Sequence, residues 1–240
     1  MPRLVTPPIG LRPNRMRKLS GPRTRGAGQS VSVTGWEQTV AAPFGARRME
    51  FSFPPIRGEM ARRARGWITQ QHGGANATRM RLCDWDGLSL AQRGIVATSD
   101  QWAAGKPWSN GQPWSNGLNW KNGNPPVPVV AAAAKGSTIV RLSTAFWGSN
   151  LGVGDWIGFF PFHFGAYEIT EVLENNEFRL DLPLRAALTA SSFAYLNPWL
   201  AMRMESENSA EAERDASHLV GLTVVLIEVF DDDARTYFTG

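Results

Sequence analysis

The sequence predicts a mainly β fold: a β-sandwich or barrel core covered by one α-helix, with a small β-barrel-like domain inserted into it. Three observations favour this class. Glycine and proline are frequent, with 24 and 16 of the 240 residues, as in chains with many turns. Apolar and polar residues alternate over short segments, as they do in half-buried strands. Only residues 59–71 have the clear periodicity of an amphipathic helix.

The first part of the core is a strand–helix–turn–strand unit. Residues 29–53 alternate like a strand, and the helix predicted over 59–71 follows. The spacing i, i+4, i+7 and i+8 gives this helix one apolar stripe, which consists of Met60, Ala64, Trp67 and Ile68. Gly73 and Gly74 can adopt the left-handed conformation that ends helices. Residues 77–83 then predict a second strand, with arginines and apolar residues on opposite sides.

The second part of the core comes from the end of the chain. Residues 199–204 and 219–230 predict two strands, with a polar connection over 205–217. The last strand is nearly all apolar, which predicts a central strand covered on both faces. It should pair with the first strands, so the chain must return after the insertion. The predicted core domain therefore combines residues 29–86 and 196–240.

The insertion predicted over residues 127–195 is a small β domain. Turn signals separate its short alternating segments, and this spacing is typical of a small barrel or sandwich. The segments are 137–142, 156–160, 166–173 and 178–182. The last two form a hairpin through the turn 174–176.

Residues 1–28 contain arginine and lysine but no acid, and we expect them to form a basic extended N-terminal arm. Its candidate contact residues are Arg12, Arg15, Arg17, Lys18, Arg23 and Arg25. Such an arm suits either nucleic acid or an acidic neighbouring subunit. No aromatic residue is interleaved with the arginines, which slightly favours the protein partner.

Residues 87–126 form a Trp-, Asn- and Gly-rich arm or loop. Trp108, Trp114 and Trp120 recur every six residues, and Asn-Gly follows each one. Tryptophans can stack on sugar rings, so the repeat could bind glycan or a receptor. Asn-Gly is also a strong turn signal, and tryptophan is enriched in protein interfaces. This favours a structural arm whose tryptophans contact other subunits.

The sequence shows no convincing catalytic, cofactor or metal site, and we predict that the protein is not an enzyme. Cys83 is the only cysteine, which excludes an internal disulfide and a thiolate cluster. His72, His163 and His218 lack ligand spacing. The two acids in the segment 84–87 resemble the start of a calcium loop, but further oxygen ligands are missing, so a turn is favoured. A hydrolase would have to rely on such scattered acids.

Two further patterns bear on the compartment. No apolar run is long enough for a transmembrane helix, and no apolar block follows the basic N-terminus as a signal peptide requires. We therefore expect folding in the cytoplasm and no membrane partner.

Several segments together resemble the distal tail proteins of long-tailed (siphovirus-like) bacteriophages and gene transfer agents. The N-terminal domain of that family is similar in the run RRMEFSF, the helix segment ARRARGWI and the turn HGGANA. These stretches are residues 47–53, 61–68 and 72–77. The insertion is similar to that of some members at 151–157, 167–170 and 182–185. Residues 219–230, with Glu228, resemble the returning C-terminal strand.

The resemblance implies a structural virion protein without enzymatic activity. Family members form a ring, usually a homo-hexamer, that joins the tail tube protein to the tail-tip hub or baseplate proteins. The ring lines the channel through which DNA passes without specific binding. The implied location is the virion tail, assembled in the host cytoplasm. The basic arm and the tryptophan repeat depart from the family pattern, so the resemblance assigns them no role.

Overall fold

A computed structural model describes the residues 3–20, 29–31, 37–39, 46–89, 91–93, 112, 126–161, 163, 165–214 and 218–229. They are mainly β, with two large sheets and one α-helix, which confirms the predicted class at this level. The chain divides into two compact units. Unit 1 comprises Met1–Leu82, His163–Ala166 and Pro198–Gly240, and unit 2 comprises Cys83–Phe162 and Tyr167–Asn197.

The strands and the helix are numbered in chain order. They are β1 (Leu4–Val5), β2 (Arg15–Ser20), β3 (Gln29–Val31), β4 (Glu37–Thr39), β5 (Arg48–Ser52), β6 (Ile56–Arg57), α1 (Gly58–Gln70), β7 (Ala77–Arg81), β8 (Val127–Pro128), β9 (Ile139–Arg141), β10 (Trp156–Phe160), β11 (Tyr167–Val172), β12 (Glu177–Leu180), β13 (Phe193–Leu196), β14 (Trp199–Met204), β15 (Ala210–Arg214) and β16 (His218–Glu228).

The sheet of unit 1 is organised around β16. Its strand order is β1-β7-β14-β16-β5-β2, and β6 and β15 also pair with β16. The predicted pairing of the last strand with the first strands is confirmed, because β16 runs antiparallel to β5. Leu222, Val224 and Leu226 are fully buried on one face of β16. Val225 and Ile227 on the other face are half-buried, so this face of the predicted central strand is covered in part.

Helix α1 packs on the buried face of this sheet. Ala64 and Trp67 of the predicted stripe are buried, whereas its two outer members are half-buried. The indole Nε1 of Trp67 donates a hydrogen bond of 3.0 Å to Oγ1 of Thr78 on β7. The Trp67 ring also meets Phe53 edge-on, with 6.0 Å between ring centroids. The helix is therefore fixed to the sheet by packing and by one buried polar contact.

Two glycines follow the helix in the predicted left-handed conformation. Gly73 has φ 63° and Gly74 has φ 100°. A Cβ on Gly74 would lie 2.3 Å from the backbone oxygen of Met204, at the end of β14. Gly74 thus provides both the positive φ and the close backbone approach that the turn requires.

A buried ion pair joins the start of β5 to the end of β16. The side chains of Arg47 and Glu228 are both fully buried, with 3.9 Å between Nη1 and Oε1. The backbone N–H of Arg47 donates to Oε2 of Glu228 at 3.1 Å, and the N–H of Glu228 donates to the Arg47 carbonyl at 2.9 Å. Arg47 Nη1 also donates to the carbonyl of Ala166. Charged and backbone hydrogen bonds therefore reinforce each other at this point.

Two segments of unit 1 differ from the sequence-based description. The sequence predicts an N-terminal arm, but over residues 3–20 the structure contains β1, parallel to β7, and β2, antiparallel to β5. The predicted polar connection over 205–217 is wrong at Ala210–Arg214, which forms β15 beside β16. The polar composition of these segments gives no strand signal in the sequence. They are strands because they pair with a neighbouring strand.

Unit 2 contains a six-stranded sheet in the order β8-β13-β10-β11-β12-β9. Strand β10 has its predicted bounds, and β11 and β12 form the predicted antiparallel hairpin. Asn175 and Asn176 in its turn have φ 57° and 59°, which asparagine tolerates better than most residues. A bridge between Val129 and Leu142 links the two ends of the strand order. One apolar cluster, which includes Trp147, fills the unit.

Candidate functional site

Strand register places one set of side chains on the face of the unit 1 sheet opposite to α1. Residues directly opposite each other in an antiparallel pair share a face. Arg203 of β14 lies opposite Ile227 of β16, which in turn lies opposite Arg48 of β5. Thr78, which bonds to the helix, alternates with Arg79 on β7, so Arg79 points to the other side.

Arginine dominates this surface. The strands β7, β14, β5 and β2 contribute six such residues, which we call the arginine face: Arg15, Arg17, Arg48, Arg79, Arg81 and Arg203. Those at positions 15, 17, 81 and 203 are exposed, and the other two are half-buried. In each of the four strands, arginines alternate with residues of the core. Because the strands are close together in one sheet, their arginines share the face opposite to the core.

An aromatic ring organises one end of the arginine face. The guanidinium carbon of Arg79 lies 4.9 Å from the ring centroid of Trp199, and that of Arg81 lies 5.8 Å from it. Trp199 is directly opposite Arg81 in the β14–β7 pair. Cation–π contacts of this kind are worth about 0.5–1 kcal/mol at exposed sites. They restrict the two side chains while the face keeps its positive charge.

Few acids offset this charge. Arg48 Nη2 lies 2.6 Å from Oε2 of Glu205, and Glu50 is opposite Arg17 on the face. Among the side chains that the structure describes on this face, six arginines stand against two acids, Glu50 and Glu205. Positive charge is therefore in clear excess on this face.

The structure separates the predicted basic contact residues. Arg15 and Arg17 lie on the arginine face. Lys18 is opposite Met49 and belongs to the other face of β2, although it is exposed. Arg12 is exposed and precedes β2. The remaining two predicted contacts lie outside the described residues: Arg23 and Arg25.

The tryptophan repeat also lies outside the described residues. This applies to all three predicted contact residues, Trp108, Trp114 and Trp120. Their assignment to subunit or glycan contacts stays a prediction.

Sequence reasoning missed most of the arginine face. The alternation of Arg79 and Arg81 with Met80 predicted that these arginines point away from the core. No local pattern indicated that Arg48 and Arg203 would join them, because that depends on the order of strands distant in sequence. Strand order was the missing information.

The acid pair at Asp84 and Asp86 forms the predicted turn. The backbone N–H of Asp86 donates to Oδ1 of Asp84 at 3.1 Å, the hydrogen bond of an Asx turn. Asp84 also lines a small recess of unit 2 with Asp155 and Arg93. Burial raises the pKa of Asp155, partly opposed by a hydrogen bond from the Gly152 backbone. Among the residues that the structure describes, no three His, Cys, Asp or Glu side chains form a metal-binding group.

His163 is the most strongly perturbed histidine in the described part of the chain. Its side chain is buried, and burial lowers its pKa to about 4. It is therefore neutral at physiological pH.

No similarity to a known protein assigns a function to this chain, so the assignment depends on the geometry of its surfaces. Neither models of protein families nor curated proteins match the sequence. In the part of the chain that is described, no helix is both long and apolar enough to cross a lipid bilayer. The arginine face is the strongest candidate for a functional surface.

Proposed function

We propose that this protein is a structural component of a bacteriophage-like tail. It forms a distal tail ring that joins the tail tube to the tail-tip hub or baseplate and surrounds the DNA channel. Self-association into a ring, usually six-fold, follows from the resemblance to distal tail proteins. In such a ring each subunit uses two different surfaces, and the contact repeats until the ring closes.

The pairing of β16 with β5 carries this proposal. It brings the end of the chain back to the strand that precedes α1, with Val225 opposite Glu50. Between these strands the chain forms all of unit 2. A core built from both chain ends, with a β-rich insertion between them, is the organisation that the resemblance implies.

The finer architecture belongs to the same proposal. In it, residues 29–86 and 196–240 form the sandwich or barrel core, and residues 127–195 form an inserted small barrel. The bridge from Val129 to Leu142 supports closure of the six-stranded sheet, since it connects β8 with β9. Hydrogen bonds beside the bridge, from Val130 N to Arg141 O and from Ser143 N to Pro128 O, support it further.

The decisive experiment is electron microscopy of the purified full chain, with the mass in solution measured by light scattering. Closed rings of several subunits would support the proposal. A protein that stays monomeric at high concentration, and that adds no ring to purified tail tubes or hubs, would refute it. Adding the tubes and hubs tests for rings that form only on the tail.

A second candidate function is carbohydrate or receptor binding through the Trp-x-Asn-Gly repeat. The observation that favours it is the spacing of Trp108, Trp114 and Trp120, since stacked aromatic side chains can bind sugar faces. Replacing all three by alanine should then abolish binding on a glycan array or to cells and leave assembly intact. Unchanged binding would eliminate this candidate, and lost assembly would instead assign the repeat to subunit contacts.

A further inference from the structure

We propose that the arginine face of unit 1 contacts the phosphate backbone of DNA without reading its base sequence. The inference rests on the proposed function, because a tail ring surrounds the DNA that leaves the particle. It adds the surface that meets the DNA and the chemistry of the contact.

The residue type supports a phosphate partner. All six cations of the face are arginines, and none is lysine. A guanidinium group is planar, stays charged and can donate two parallel hydrogen bonds to a phosphate. Its weak hydration also lowers the cost of leaving water for a polyanion.

The geometry supports an extended partner. The face crosses the neighbouring strands β7, β14, β16, β5 and β2. Four spacings of about 4.8 Å give it a width of about 19 Å. Duplex DNA of that length carries on the order of 11 phosphate charges, so the face can neutralise several of them but not all. A partner with dense and regular negative charge therefore matches its breadth.

The chemistry of the face argues against an acidic protein as its main partner. Protein interfaces are themselves enriched in arginine, but tight ones also bury aromatic or apolar anchors, and the aliphatic side chains on this face, Val225 and Ile227 of β16, are already half-buried. Trp199 is the large aromatic residue on this face among the described residues, and Arg79 and Arg81 lie over its ring. It is therefore poorly available as an anchor.

The same features predict binding without sequence preference. Reading bases requires an element that enters a groove and presents side chains to base edges. The arginines lie instead across a broad sheet, with Arg15 and Arg17 on its outer strand β2. Contacts restricted to phosphates position DNA but carry no sequence information.

The test measures binding of the full-length protein to a fluorescein-labelled duplex of about 30 base pairs by anisotropy, at several salt concentrations. The main variant, Arg17→Gln with Arg203→Gln, removes two exposed arginines of the face. The matched control, Arg62→Gln with Arg65→Gln, removes two exposed arginines from α1. Both variants therefore have the same net charge.

We expect wild-type binding to weaken linearly with salt on logarithmic axes, equally for two unrelated sequences. The face variant should bind at least about fivefold more weakly at 100 mM salt. Its salt slope should fall by up to about 1.8, because each lost phosphate contact removes about 0.9. The helix variant should stay within about twofold of wild type. A second face variant, Arg15→Gln with Arg81→Gln, should repeat the result, and circular dichroism checks folding.

Three results would overturn the inference. The first is that the wild-type protein does not bind DNA at 50 mM salt. The second is that the face variant and the helix variant weaken DNA binding equally. The third is that the protein binds polyglutamate and does not bind DNA. The last result would assign the face to an acidic protein surface. Electron microscopy of the same samples separates this test from the proposed function. Rings without DNA binding would refute the DNA contact alone, and DNA binding without rings on tubes or hubs would refute the ring alone.

Discussion

The buried pair between Arg47 and Glu228 allows a sharp test of what stabilises unit 1. The change Glu228→Gln preserves the shape of the side chain and removes its charge. It leaves the guanidinium of Arg47 fully buried, with the carbonyl of Ala166 as a remaining acceptor. Removing one partner of a buried ion pair typically costs about 3–5 kcal/mol. Since single domains are stable by only about 5–15 kcal/mol, this change should remove a large part of the stability of unit 1.

An exposed pair in the same sheet provides the matched control. Arg48 and Glu205 lie closer together, at 2.6 Å, but their side chains are 41% and 37% exposed. Solvent screens such a pair, so Glu205→Gln should cost at most about 1 kcal/mol. The exposed pair is the shorter one, and the other pair is the more buried one. We expect burial, rather than the distance between the charged atoms, to determine which substitution costs more stability.

A double variant separates the net contribution of the pair from the cost of an uncompensated charge. Arg47→Met combined with Glu228→Gln removes both charges. The new amide oxygen can still accept the backbone N–H of Arg47, which Glu228 accepts at 3.1 Å in the wild type. The double variant should therefore recover to within about 2 kcal/mol of wild type.

The assay is urea unfolding followed by circular dichroism, together with hydrogen exchange of the β5 and β16 amides. Hydrogen exchange at these amides shows whether the lost stability belongs to unit 1. A single urea transition of a chain with two units would not show this. The reasoning is refuted if Glu228→Gln costs no more than Glu205→Gln, or if the double variant is as unstable as the single one.

Three further predictions follow from local geometry. Gly74→Ala should cost at least about 2 kcal/mol or prevent folding, since its φ is 100° and the new Cβ would meet a backbone oxygen at 2.3 Å; Gly66→Ala in α1, with open space around it, should instead stabilise by about 0.5–1 kcal/mol in the same urea assay. Thr78→Val should cost about 1–3 kcal/mol by leaving the buried indole N–H of Trp67 without its acceptor, and an unchanged urea midpoint would contradict this. Burial lowers the pKa of His163 to about 4, so the unfolded state binds a proton that the folded state does not as the pH falls from about 6.5 to 4. The stability advantage of wild type over His163→Gln should shrink by on the order of 2–3 kcal/mol between pH 7 and pH 4, and a constant difference would refute it.

Sequence patterns predicted the elements whose own residues determine them. Strands β10 and β14 have their predicted bounds, and α1 differs by one residue at each end from the predicted 59–71. In each case the apolar positions of one segment define the side that is buried, so no knowledge of neighbours is needed. The pairing of β16 with β5 was also predictable, because a long apolar strand needs partners on both sides.

Sequence patterns failed where a neighbouring strand determines the conformation. Strand β2 has the composition RMRKLS and looks like part of a solvated basic arm, but it pairs with the edge of β5. Strand β15 reads AEAER, which carries little apolar signal, yet it pairs with β16 in the antiparallel sense. The arginine face depends on the same long-range information, since its members come from residues 15–17, 48, 79–81 and 203.

The arginine face is difficult to explain as a device for stability. Like charges on neighbouring strands repel, and exposed pairs such as Arg48 with Glu205 return at most about 1 kcal/mol. The contacts of Arg79 and Arg81 with Trp199 offset part of the repulsion at one end of the face, and Arg17 at the other end lies opposite Glu50 of β5. An edge strand does benefit from positive charge, which prevents pairing with other chains, and this accounts for β2. It does not account for Arg203 on β14 or Arg48 on β5, because each of these residues has a paired strand on both sides. A polyanionic partner would relieve the repulsion across all of these strands at once, which is the physical reason for assigning the face to the DNA backbone.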